Sequence, residues 1–205
     1  IEKISGHPDF ANKAIKSIER KTVGEGLGQV GEFNQVMVET EDGEQTKLFL
    51  KLRAPIEGMH AVALRYKMYE KEVRFYNELA AQTDVRTPKV IYADYEPETE
   101  NVALLMEYME GWTSPDQLTG ASHDQTIAAI KQLTAINAPF WGRTADLPWL
   151  PTMQTDYMQL TIGDMQACKD IFWERFGEVL PVDEKDYALI LSLIHISEPT
   201  RPVMI

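Results

Sequence analysis

The sequence predicts an α+β fold: a five-stranded antiparallel sheet with one inserted helix in the first half, and helices alone beyond it. Three observations predict it. Val36-Met37-Val38 and the run over 47–52 flank an Asp42-Gly43 turn, the pattern of a hairpin. Strand-like runs over 90–95 and 102–108 flank an acidic turn containing Pro97. Between these pairs, and again after Ser122, apolar residues recur at helical spacing instead.

Taken in order, Phe10, Ala14 and Ile18 recur every four residues and predict a short helix over 9–18. His7-Pro8-Asp9 has the look of a catalytic His-x-Asp fragment, but proline and aspartate also begin helices, and that is the reading adopted. Gly24, Gly26, Gly28 and Gly31 follow. A dinucleotide-binding fold needs its glycines to lead into a helix, whereas these lead into the strand-like Phe33 and Gln35-Val36-Met37-Val38. A glycine hairpin whose backbone N–H groups approach a phosphate fits, and so does a flexible surface loop; the glycines alone do not choose.

On the strand over 47–52, alternation puts Leu48 and Leu50 on one face and Phe49 and Lys51 on the other. A lysine beside a large aromatic needs an anionic partner if it is to be buried. The helix predicted over 66–81 supplies one. Tyr69, Glu72, Tyr76 and Leu79 form one stripe, so Glu72 is a carboxylate on the apolar face. Glu70 falls instead among Lys67, Arg74 and Asn77 on a solvated face. Beyond Gly111 an irregular stretch separates sheet from helices. Ser122 and Gln125 match a capping box that opens a helix running to Pro139. A second helix is predicted over 156–176, and Asp183 is placed to cap a third.

Composition narrows the function. A net charge of -12 over 205 residues argues against nucleic acid and against a polybasic membrane contact. The single Cys168 excludes an internal disulfide and a cysteine-rich zinc site, and fits a reducing, cytoplasmic setting.

Several of these stretches, in this order, resemble the protein-kinase-like fold, and most closely the aminoglycoside phosphotransferase, choline kinase and ecdysteroid-kinase-like phosphotransferases. The resemblance rests on Glu25-Gly26-Leu27-Gly28, Leu50-Lys51-Leu52 and the Tyr69–Tyr76 segment. It continues in Thr87-Pro88-Lys89-Val90, the Leu104–Met109 run, Ala138–Gly142 and Leu147-Pro148-Trp149-Leu150. It implies a small-molecule kinase that uses ATP and Mg²⁺ to phosphorylate a hydroxyl. By position, Lys51 would hold the α- and β-phosphates and Glu72 would orient it. Gly26, Gly28 and Gly31 would cover the phosphates, and Glu107, Tyr108 and Met109 would form the hinge that meets adenine. Asn137 stands where the family commonly has a histidine.

The family also needs a His-Gly-Asp-type loop, an asparagine five residues after that aspartate, and a metal-binding aspartate. After Gly120, neither His123-Asp124 nor His195-Ile196-Ser197 supplies them. The expectation is that catalytic base and metal ligands are absent from this chain, which is then an N-terminal fragment without activity of its own. Residues 191–201 look like the in-frame translation of a transposase-type sequencing-library adapter; a genuine polar tail is the alternative. The resemblance divides the chain into an ATP-binding N-lobe over 1–110, a partial helical C-lobe over 111–190 and an adapter-derived tail over 191–205. The competing functional reading is a non-catalytic nucleotide-binding or regulatory module of the same fold.

Overall fold

The structure, a computed structural model, describes residues 4, 6–23, 30–112, 119–150 and 156–179. The fold is α+β. Five strands form one antiparallel sheet: β1 (Ile15–Thr22), β2 (Glu32–Thr40), β3 (Gln45–Leu52), β4 (Val90–Glu96) and β5 (Asn101–Glu107). Their spatial order is β1-β2-β3-β5-β4. Helices α1 (Glu57–Arg65) and α2 (Met68–Arg74) sit between β3 and β4 in the chain; α3 (His123–Asn137) and α4 (Asp156–Phe176) follow the sheet. The chain forms two compact units, Ile1–Trp141 and Gly142–Ile205.

The β2–β3 hairpin forms as its sequence demands. Gly43 takes φ +87 at the turn, a conformation that a Cβ would strain, and donates its N–H to the Thr40 carbonyl at 2.9 Å. The strands then pair in register, with Phe33 opposite Lys51 and Val36 opposite Leu48. Alternation sorts the side chains into two cores. Val36, Val38, Leu48 and Leu105 pack with Phe10 on one face. Val102, Leu104 and Met106 pack with Ala63, Tyr69 and Val73 on the other, the face covered by α1 and α2. β5 lies between β3 and β4 and is buried on both faces, which explains its nearly unbroken apolar sequence.

The helix expected over 9–18 is not there. A single 3-10 turn, Pro8–Phe10, is followed by Asn12 at φ 67, and the chain enters β1 at Ile15. The left-handed Asn12 ends any helix. Phe10 is buried under the sheet while Ile18 lies on an edge strand, so their spacing of eight has no helical meaning. β1 is mostly exposed, is bulged between Ile15 and Ser17, and pairs only with β2.

The helix expected over 66–81 is three pieces. α1 ends before Lys67, whose φ of 49 breaks the chain into α2. α2 then widens into a π turn, Phe75–Leu79, and tightens into a 3-10 turn, Ala80–Gln82. The expected stripe survives these changes: Tyr69 and Leu79 are buried, Glu72 and Tyr76 half-buried. α3 has the predicted capping box, in which Ser122 Oγ accepts from the Gln125 amide and Gln125 Oε1 accepts from the Ser122 amide. In the second unit, α4 has the bounds read from its spacing. The helix expected at Asp183, and residues 191–205, lie outside the described residues. Among the described residues, no helix is long and apolar enough to cross a membrane.

Surface ion pairs set an acid response. The Lys89 hydrogen bond holds the Asp9 carboxyl below its ordinary range; Lys16 does the same for Glu39 and Lys47 for Glu110. Asp42 is lowered by the Thr40 hydroxyl and the Glu44 amide. As pH falls, the unfolded chain therefore binds more protons than the folded one. The stability these groups contribute is complete above the ordinary carboxylate range and is lost below about pH 4. Urea midpoints at about pH 6 and about pH 3 are expected to differ, with the lower at pH 3. A midpoint that stays level or rises at acid pH would contradict these assignments.

Candidate functional site

The site forms where β3 faces α2. Alternation turns Lys51 toward the helix, and the stripe on α2 turns Glu72 toward the sheet. Lys51 Nζ donates to Glu72 Oε2 at 2.6 Å, with 18% of the lysine side chain and 30% of the glutamate side chain exposed. A charge-assisted bond this short between half-buried groups fixes the ammonium in place. A hollow of about 360 Å³ opens beside the pair, lined by Val30, Met68, Phe75 and Tyr76 as well as Lys51 and Glu72. Burial pushes the Tyr76 phenol up, and the Glu72 charge adds to the effect, so Tyr76 stays neutral here.

Gly31 is part of the same construction. A Cβ there would lie 2.9 Å from Lys51 Cε, 3.2 Å from Lys51 Cγ and 3.1 Å from the Leu52 carbonyl oxygen. The lysine stem therefore lies against bare backbone. Gly31→Ala is expected to push Lys51 out of line with Glu72 and to cost about 1–3 kcal/mol. Urea unfolding reads the loss, and a change below about 0.5 kcal/mol would show that the stem does not depend on the missing Cβ. Gly26 and Gly28 lie outside the described residues.

Glu107, Tyr108 and Met109 sit where β5 ends. The Glu107 N–H donates to the Lys89 carbonyl at 2.8 Å, and its carboxylate accepts from Arg86 at 2.9 Å. Lys47 Nζ lies 5.0 Å from the centroid of the Tyr108 ring and also pairs with Glu110 at 2.7 Å. Leu48 is opposite Glu107 and Lys51 is opposite Leu104. The two groups of residues are thus three strand positions apart, about 10 Å along the sheet.

Two residues that sequence reasoning did not single out hold this frame. Arg86 joins the end of β5 to α3: besides Glu107, its amide donates to Gln132 Oε1 at 3.0 Å. His60 is 2% exposed and contacts the Tyr69 hydroxyl, Glu100 and Arg53. The signal for His60 was Tyr69 itself, since a tyrosine on a buried stripe needs a partner for its hydroxyl.

A larger hollow of about 620 Å³ lies elsewhere on the sheet, lined by Glu32, Arg53, Tyr92, Asp94 and Glu96 among others. Three carboxylates against one guanidinium disfavour a phosphate there, so the smaller hollow beside Lys51 is the better anion site. Among the described residues, no three His, Cys, Asp or Glu side chains converge as a metal site. The described residues thus put an ammonium, held by one carboxylate, against the bare backbone of Gly31. No family model matches the chain, and no curated protein matches it.

Proposed function

We propose that this chain carries the nucleotide-binding half of an ATP-dependent kinase of protein-kinase-like fold, one that phosphorylates a hydroxyl on a small molecule. The observation that carries the proposal is the Lys51–Glu72 pair at 2.6 Å, formed between the third strand and a helix beside an open hollow. In the proposed role, Glu72 holds the ammonium toward the phosphates, and Gly31 lets the lysine stem and the phosphates approach backbone. The segment from Glu107 to Met109 would receive the base. ATP supplies the phosphoryl group; the base that activates the acceptor and the ligands of Mg²⁺ would come from protein outside these residues. The cytoplasm, with its ATP and reducing conditions, is the proposed location. A second reading, a non-catalytic nucleotide-binding module, rests on the same pair and hollow without the transfer step.

The test is ADP release by the protein carrying its natural downstream sequence, with MgATP and a panel of hydroxyl-bearing small molecules. Release that depends on the acceptor supports the kinase. Nucleotide binding without release supports the second reading, and neither binding nor release rejects both.

A further inference from the structure

We propose that Tyr69 and His60 are positioning residues for the Lys51–Glu72 pair: the Tyr69 hydroxyl, gripped by the Ala54 amide and the His60 ring, sets the rotation of α2. The inference deepens the nucleotide-site reading of that pair, but its test needs no nucleotide.

α2 starts at left-handed Lys67 and runs on without a break through the π turn and the 3-10 turn to Gln82. A helical segment of this length is marginal by itself, so its place comes from contacts. Most of those are apolar, through Tyr69 and Val73. Apolar contact is non-directional and permits sliding and rolling. The Tyr69 hydroxyl adds a buried directional contact. It accepts from the Ala54 N–H at 2.9 Å. Ala54 lies three residues after Lys51, on the chain leaving β3, and Tyr69 lies three residues before Glu72 on α2. The same two segments are therefore joined twice, at Lys51–Glu72 and at Ala54–Tyr69. Two joins fix an angle that one would leave free.

The second join is itself anchored. Tyr69 Oη accepts from the Ala54 amide and lies 3.3 Å from His60 Nδ1, and in the neutral ring protonated at Nε2 that nitrogen accepts the Tyr69 hydroxyl proton in a hydrogen bond. His60 Nε2 then carries its proton toward Glu100 Oε2 at 3.1 Å, since a carboxylate can only accept. The His60 and Tyr69 rings stack with centroids 5.8 Å apart. Arg53 Nη1 is 3.3 Å from Nε2 and completes the charged surroundings of the ring. Glu100 holds φ 57 in the turn between β4 and β5, a left-handed conformation unusual for glutamate. The relay thus runs from the end of β3, through α2 and α1, to the opposite hairpin of the sheet.

The experiment is competitive acetylation of Lys51 by acetic anhydride, read by peptide mass spectrometry against the exposed Lys131 on α3. Glu72→Gln is the reference for a lysine freed of its carboxylate. Tyr69→Phe removes only the hydroxyl, and Lys51 labelling is expected to rise about three- to tenfold toward the reference, the scale of one hydrogen bond. Glu100→Gln, at a half-exposed position, is expected to raise it in the same direction by less. Far-UV circular dichroism confirms the fold of each variant. Unchanged labelling in both Tyr69→Phe and Glu100→Gln overturns the proposal, even if melting temperatures fall, because lost stability alone would be a structural role. No rise in Glu72→Gln also overturns it, because there is then no pair to position. Addition of MgATP to the protein carrying its natural downstream sequence separates the two readings: variants that raise labelling uphold the positioning role, and failure of ATP to protect Lys51 there rejects the nucleotide site.

Discussion

Lys51→Met lowers phosphoryl transfer by the proposed kinase about 10²- to 10³-fold, the scale of losing one preorganised group that stabilises developing charge. Methionine matches the length of the lysine stem, so packing against Gly31 persists and the ammonium alone is lost. The effect on stability is smaller. Both members of the pair are part-exposed, and such pairs contribute about 1 kcal/mol or less. Transfer and stability therefore separate: the rate falls by orders of magnitude while the urea midpoint moves little. Lys51→Arg gives the complementary result. It keeps the charge, but its planar fork does not reproduce a compact ammonium held by a single carboxylate oxygen, so it restores little of the lost activity. Full transfer activity in Lys51→Met would sink the assignment of Lys51 and, with it, the kinase reading of the sheet.

Leu104→Ala is expected to remove about 2–5 kcal/mol of stability from the first unit, the range for deleting a buried leucine. Leu104 is 0% exposed, pairs across the sheet with Lys51 on one side and Ala93 on the other, and packs in the cluster with Tyr69 and Val73. Its removal leaves a cavity directly beneath α2. Amide exchange of β5 reads the loss in this unit without signal from Gly142 onward. A loss below about 1 kcal/mol would mean that α2 settles into the space, and the two-point attachment of that helix would then be too loose to orient Glu72.

What the sequence made legible is what one strong local signal controls. The Asp-Gly turn with alternating flanks gave the β2–β3 hairpin, and that alternation in turn gave the face of Lys51. Glu72 was legible because a carboxylate on an apolar stripe asks for a cation. The bounds of α4 followed from its long helical spacing. β1 was hidden because Phe10, Ala14 and Ile18 mimic a helix across a turn that only Asn12 marks. α1 was missed because its buried residues are just Ala63 and His60, and a histidine does not register as part of an apolar stripe. The π turn has no composition of its own: Phe75 to Leu79 would suit an ordinary helix equally well. The stripe on α3 was legible as spacing, yet Ile130 and Leu133 are about half exposed, at 53% and 52%, since periodicity says which face is apolar and not what lies against it.

The two borders of the sheet bear on how the molecule meets its own copies. An unpaired strand border is a template on which another chain can add a strand. Here β1 presents Lys16, Arg20 and Lys21 along its exposed length and is kinked by its bulge. At the far border, Asn77 donates its side-chain amide to the Ala93 carbonyl of β4 at 3.3 Å, so part of that backbone already has a partner. β1 also carries Glu19, and its Lys16 and Arg20 pair with Glu39 and Glu32 of β2, so its border is charged rather than apolar. Among the described residues, both margins of the sheet thus carry features that hinder the addition of a further strand.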